Sequence, residues 1–128
     1  MYSNACEKYI SVDNYKLLCN KILNSKNITS INTFFRNVTI IGALGEFKVG
    51  DIINNRIKTS VLAFAGIKNK STLESNIDNF LMLSSDFCKP LPSLVNVMGM
   101  FKDCKFGKAI PFNLFNKRNE VIEPVWIK

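Results

Sequence analysis

Residues 35–67 read FRNVTIIGALGEFKVGDIINNRIKTSVLAFAGI. Within them, 58–65 (KTSVLAFA) is a short apolar run bounded by polar residues and glycine, the pattern of a strand buried on both faces. Alternation then predicts Leu62 and Phe64 on one face and Val61 and Ala63 on the other, both covered. Just after it, Ser71-Thr72-Leu73-Glu74 is a capping box that predicts a helix over 72–84, its inward stripe being Leu73, Ile77, Phe80, Leu81 and Ser84.

Working outward toward the N-terminus, 38–44 reads either as a strand, from its β-branched residues, or as a short helix capped by Asn37 and ended by Gly45. Gly42, Gly45 and Gly50 make neither a G-x-G-x-x-G nor a Walker A pattern, so a nucleotide-phosphate loop is not supported. Residues 47–54 read as a short helix or turn. Residues 33–36 predict a short strand with Phe34 and Phe35 on opposite faces. Residues 5–12 predict a first strand. Asp13 is a good N-cap for the helix that follows, whose stripe is Tyr15, Leu18, Cys19, Ile22 and Leu23 through Ser25; Lys16, Lys21 and Lys26 fall off it.

Toward the C-terminus, Pro90 and Pro92 mark a loop. Residues 94–101 predict a strand with a close approach or bulge at Gly99, and Pro111 and Pro124 argue against a long helix in the tail. The predicted order is β-α-β-(short helices)-β-α-β: an α/β fold, a single domain over 1–110 with a mixed sheet layered with helices, then an irregular tail over 111–128. No internal repeat or low-complexity segment appears.

The chain has 128 residues, 47% of them hydrophobic, enough for one domain with its own core. Its 17 basic and 10 acidic residues give a net charge of +7, which favours an anionic partner, nucleic acid ahead of membrane. There is no histidine, so the commonest general base and metal ligand is missing. Cys6, Cys19, Cys88 and Cys104 form no C-x-x-C and read as small buried hydrophobes. Asp51, Asp78, Asp86 and Asp103 show no paired-carboxylate spacing, and no Cys or Ser has a His to activate it. These residues point to no enzyme and no cofactor. No apolar run approaches the ~20 residues of a membrane span, and the wealth of Asn, Lys and Ile suggests an AT-rich genome.

Read in order, Lys8-Tyr9-Ile10-Ser11-Val12, the helix from Asp13, Phe35-Arg36-Asn37, Ser60-Val61-Leu62-Ala63-Phe64, the helix from Thr72 and Val97-Met98-Gly99-Met100-Phe101-Lys102-Asp103 together resemble the ribosomal stalk-base family. That family comprises the tenth protein of the bacterial large subunit and eukaryotic P-zero. The resemblance spans about residues 5–110. It departs from the family in reading Lys8-Tyr9 for a basic-Gly pair, Ile41 and Gly42 for two basic residues, and Cys19 near a helix arginine. The family's terminal helices have no counterpart. The resemblance implies a structural, non-enzymatic protein of the large ribosomal subunit that binds rRNA at the stalk base beside the eleventh large-subunit protein. It implies a ribosomal location, mitochondrial and organelle-encoded or else cytoplasmic, with no membrane and no small-molecule substrate. The RNA-binding residues it indicates are Lys8, Arg36 and Asn37, with Lys48, Arg56 and Lys58 behind them. Asn37 reads equally as a plain N-cap. Lys102, Lys105 and Lys108 form a second basic cluster that reads as a solvated face. Without a docking helix, the chain is expected to bind rRNA but no stalk dimers. The alternative reading is a small viral or parasite α/β protein–protein interaction module.

Overall fold

The computed structural model describes residues 8–49, 56–82 and 96–107. The fold is α/β: β1 (Lys8–Ser11), α1 (Val12–Asn24), β2 (Val38–Ile41) and β3 (Lys68–Lys70), with the strands in one parallel sheet of order β1-β2-β3. The register sets Tyr9 beside Thr39 beside Lys68, and Ile10 beside Ile40 beside Asn69.

Helix α1 forms where its apolar period predicts. Tyr15, Cys19 and Ile22 are buried, whereas Leu23 is largely exposed. The N-cap is Ser11 rather than Asp13: the Ser11 Oγ accepts from the Asn14 N–H at 3.2 Å. Asp13 instead lies in the first turn, where its charge suits the helix dipole.

Three segments, 31–38, 60–67 and 97–104, share one backbone path. In each, the fourth, sixth and eighth residues donate N–H bonds three residues back. Examples are Phe34 to Ile31, Ala63 to Ser60 and Met100 to Val97, all at 3.1 Å. The third and seventh residues have positive φ throughout: Thr33 and Asn37, Leu62 and Gly66, Gly99 and Asp103. Each segment is thus an arc of consecutive turns, and the arcs stack. Thr33, Phe35 and Asn37 donate to Val61, Ala63 and Ala65 of the next arc at 2.8–2.9 Å; Leu62, Phe64 and Gly66 donate to Met98, Met100 and Lys102 at 2.8–3.0 Å. The chain is therefore an internally repeated stack of coils, in which each coil buries its neighbour's apolar edge. The repeat is 29 residues between the first two arcs and 37 between the last two, an uneven spacing that conceals it in the sequence.

The fifth residue of every arc is a phenylalanine. Phe35 lies 5.8 Å from Phe64, and Phe64 lies 5.3 Å from Phe101, with planes near parallel. Tyr15 of α1 closes one end of this column, edge-on to Phe35 at 5.0 Å. The column is the core, and α1 is its lid.

Several expected elements differ. Residues 58–65 form a bridge at Thr59 and then an arc, not a strand. Phe64 and Ala63 are buried, but Leu62 has φ 55° and is only half-buried. The run is apolar because the arc is sandwiched between two others. Residues 33–36 are likewise an arc, with Phe35 buried and Phe34 47% exposed. In 38–44 the strand wins over the helix, and Asn37 (φ 59°) is a left-handed arc residue rather than an N-cap. Residues 96–103 form a bridge and an arc, and Gly99 supplies its positive φ.

The helix expected from Thr72 is absent over 72–82. Leu73, Ile77 and Phe80 are exposed, and among the described residues of the expected stripe only Leu81 is buried. A capping box is a local signal of about 1 kcal/mol. Here Asn79 N–H bonds the Asn69 carbonyl and Leu81 N–H bonds the Lys105 carbonyl, both at 2.8 Å, and this pairing holds the segment extended. The mixed, helix-layered sheet is accordingly a parallel sheet with one helix among the described residues. Of the short helix or turn expected over 47–54, residues 47–49 are not helical; 50–54, the prolines, Cys6, Cys88, Lys108 and the tail 111–128 lie outside the described residues, and so does the tail's expected failure to dock stalk dimers.

Candidate nucleic-acid interface

Because side chains alternate along a strand, the sheet has an inward and an outward face. The inward row is Ile10, Ile40 and Asn69. Asn69 is 1% exposed, and its amide donates to the Ile40 and Gly42 carbonyls at 2.9 and 2.7 Å. Its Oδ1 accepts from Asn79 Nδ2 at 3.0 Å and from the Leu44 N–H at 3.4 Å. A buried amide satisfied in this way pins the turn after β2 and the segment around Asn79 to β3.

The outward rows are Tyr9-Thr39-Lys68 and Ser11-Ile41-Lys70. Tyr9 is 53% exposed and Thr39 is buried between its neighbours. Beyond β3, Lys105 occupies the position in the third coil that Lys68 holds in the second and Thr39 in the first. Residues 79–81 intervene there: Leu81 bridges to Phe106, and Phe80, 65% exposed, turns outward beneath Lys105, whose Nζ lies 6.0 Å from the ring centroid. Lys68, Lys70 and Lys105 thereby share one face with the exposed rings of Phe80 and Tyr9. A cavity of about 180 Å³ opens beside Phe80, between Lys68 and Lys105.

The six residues indicated by sequence do not gather into one patch. Lys8 pairs in register with Val38, which sets it next to Asn37 and near Arg36, and these three do form one corner. Arg36 is exposed on the first arc. Asn37 is half-buried, its side chain against Gly66. Arg56 is engaged elsewhere: its guanidinium donates to the Leu23 and Ser25 carbonyls at 3.1 and 2.5 Å, a cation closing the C-terminus of α1. Lys48 is half-buried before Val49, which bonds the Met82 carbonyl. Lys58 is exposed where its backbone joins Thr29 and Asn96. The lysines at 68 and 70 escaped the sequence reading because Lys-Asn-Lys carries no strand propensity. The available signal was the recurring Phe-x-x-Val, Phe-x-x-Ile and Phe-x-x-Cys at 35, 64 and 101, after which each strand position begins.

Cys19 is buried and Cys104 half-buried. Cys104 donates to the Phe64 carbonyl at 3.1 Å. Burial above all, with the nearby Asp103 charge a smaller cause, pushes its thiol up to about 12, so it is no nucleophile at neutral pH. Among the described residues there is no group of three or more Cys, Asp or Glu side chains placed to hold a metal, and no helix is long and apolar enough to cross a membrane. No family model, curated protein or solved structure matches this chain.

Proposed function

We propose that this protein is a non-catalytic RNA-binding module that uses the outward face of its sheet. The observation behind this reading is the grouping of Lys68, Lys70 and Lys105 around the exposed rings of Phe80 and Tyr9. Cations that track phosphates, interleaved with aromatic platforms for bases, are what single-stranded nucleic acid requires. The charge of +7 supplies the long-range attraction, and Lys8 and Arg36 extend the basic surface around the corner from β1.

Large-subunit rRNA is the partner that the stalk-base resemblance names. The segments carrying that resemblance, 60–64, the start at Thr72 and 97–103, are here two arcs and a turn rather than strands and a helix. The RNA reading therefore rests on the face itself. A ribosomal role is the specific form to test, by co-sedimentation with large subunits after a high-salt wash.

The direct test is anisotropy of a labelled single-stranded RNA across a salt series. Lys68→Ala, Lys70→Ala and Lys105→Ala should each flatten the slope of log K against log salt by about 0.7. Arg56→Ala should leave the slope unchanged while costing about 1 kcal/mol of stability through the lost helix cap. Folded lysine variants with wild-type slopes would remove the face from the site.

A second reading, a protein–protein interaction module, is favoured by the stacked coils and by exposed Phe34 and Met98 on the arcs. It is the reading left standing if RNA binding fails at low salt.

A further inference from the structure

We propose that the outer edge of the third arc is a docking edge and that the chain's own C-terminal segment, 108–128, occupies it, closing the stack at the end opposite α1. The arcs pair in one direction. The third, fifth and seventh residues of the first arc donate to the second, fourth and sixth carbonyls of the second arc, and the second arc donates to the third in the same register. The third arc repeats the path: Met100, Lys102 and Cys104 donate three residues back, and Gly99 and Asp103 have positive φ. Its corresponding N–H groups, on Gly99, Phe101 and Asp103, therefore face away from the second arc. Among the described residues, the N–H groups of Gly99 and Asp103 meet no acceptor. Gly99 is nevertheless a buried residue, and buried backbone donors are normally paired. A row of such donors is a template for another stretch of backbone.

The column of rings ends at the same place. Phe64 stacks on one face of Phe101 at 5.3 Å, and Phe106 meets it edge-on at 5.4 Å. Phe101 is 1% exposed, so its outer face is covered as well. At the other end of the column, Tyr15 of α1 covers Phe35. Stacked coils require a cap at each end, because the terminal coil has no neighbour to bury its apolar edge.

The occupant has to bring carbonyls and apolar side chains, and 108–128 brings both. It continues directly from Gly107 of the third coil, so the loop that returns it to the arc is short and closing it costs little. Ile110, Phe112, Phe115, Val125 and Trp126 supply apolar surface for the Phe101 ring. Pro111 and Pro124 each offer a carbonyl without an N–H. Proline suits an edge strand for this reason: it accepts from the arc and leaves no donor outward for a second copy to pair with.

Trp126 is the chain's one tryptophan, so the full chain reports the docking itself. Its emission should be that of a buried indole, shielded from acrylamide. Amide hydrogen exchange should show the Gly99 and Asp103 N–H groups protected about 100-fold or more over free-peptide rates, as paired amides are. The triple change Phe112→Asp, Phe115→Asp and Val125→Asp should cut those two protections about tenfold or more and expose Trp126, while Leu62 and Gly66 keep theirs, which shows that the arcs remain folded. If the triple change unfolds the chain, Trp126→Ala, which adds no charge, replaces it and should lower the same two protections. Free exchange at Gly99 and Asp103, or a solvated Trp126, in the wild-type chain would overturn the proposal. So would protection that survives the tail changes, which would assign the edge to another segment. A wild-type dimer that loses this protection on dilution would assign it to a second copy and overturn the proposal equally.

Discussion

Adding one methyl group at Gly66 tests the stacked-arc geometry directly. Gly66 is the seventh residue of the second arc, with φ +69°, and an added Cβ would collide with the Oδ1 of Asn37, the seventh residue of the first arc. Gly66→Ala therefore carries two penalties. The left-handed backbone costs an L-residue roughly 1–2 kcal/mol. Relieving the collision requires Asn37 to move or the arcs to part at the Asn37 N–H bond to the Ala65 carbonyl, 2.8 Å long. Overpacking of this kind costs typically ~1–3 kcal/mol, for a total of about 2–5 kcal/mol. Gly45 is the control: its φ is +59°, but an added Cβ meets nothing within 4 Å, so Gly45→Ala should cost the backbone part alone. Urea denaturation of both variants isolates the steric part. The double change Asn37→Gly with Gly66→Ala should recover it, since glycine keeps the left-handed conformation at 37 and removes the obstructing amide. If Gly66→Ala and Gly45→Ala agree within about 0.5 kcal/mol, or the double-mutant cycle shows no coupling, the arcs do not stack in this register.

Asn69→Leu should cost about 2–4 kcal/mol in denaturant unfolding, because it strands buried carbonyls at Ile40 and Gly42; Asn69→Asp, which keeps the shape but cannot donate, should cost about as much. Leu62→Gly should be close to neutral in melting temperature. The half-buried Leu62 sits at φ 55°, and glycine relieves roughly 1–2 kcal/mol of backbone strain there, which offsets the apolar burial that the leucine side chain provides. A destabilisation as large as that of a fully buried leucine would contradict the arc. Cys104 sets a pH dependence. Its folded thiol titrates at about 12 against 9.0 when unperturbed. Between those values the unfolded state loses the proton first, so stability falls as pH rises through that window. Comparison with Cys104→Ala, which lacks this component, measures it.

The local elements were legible where local chemistry suffices. The α1 stripe of Tyr15, Cys19 and Ile22, the strand at Lys8–Ser11 and the α/β class all follow from periodicity and propensity. What only the tertiary structure decided is the stack. An apolar run such as 58–65 signals burial on both sides but not the backbone path that achieves it. Strand and arc have the same composition, because in both the exposed polar positions are few and the amides pair with a neighbouring segment. The turns at Thr33, Leu62 and Asp103 carry no glycine to announce a positive φ; at Thr33 and Leu62 the N–H bonds to the Val61 and Met98 carbonyls of the next arc offset the strain. For the same reason the capping box at Ser71 was overruled by the pairing of Asn79 with Asn69. The proposed contact face depends on this stacking too: Lys68 and Lys105 stand on one surface because the coils repeat, at a separation in the chain that no local pattern encodes.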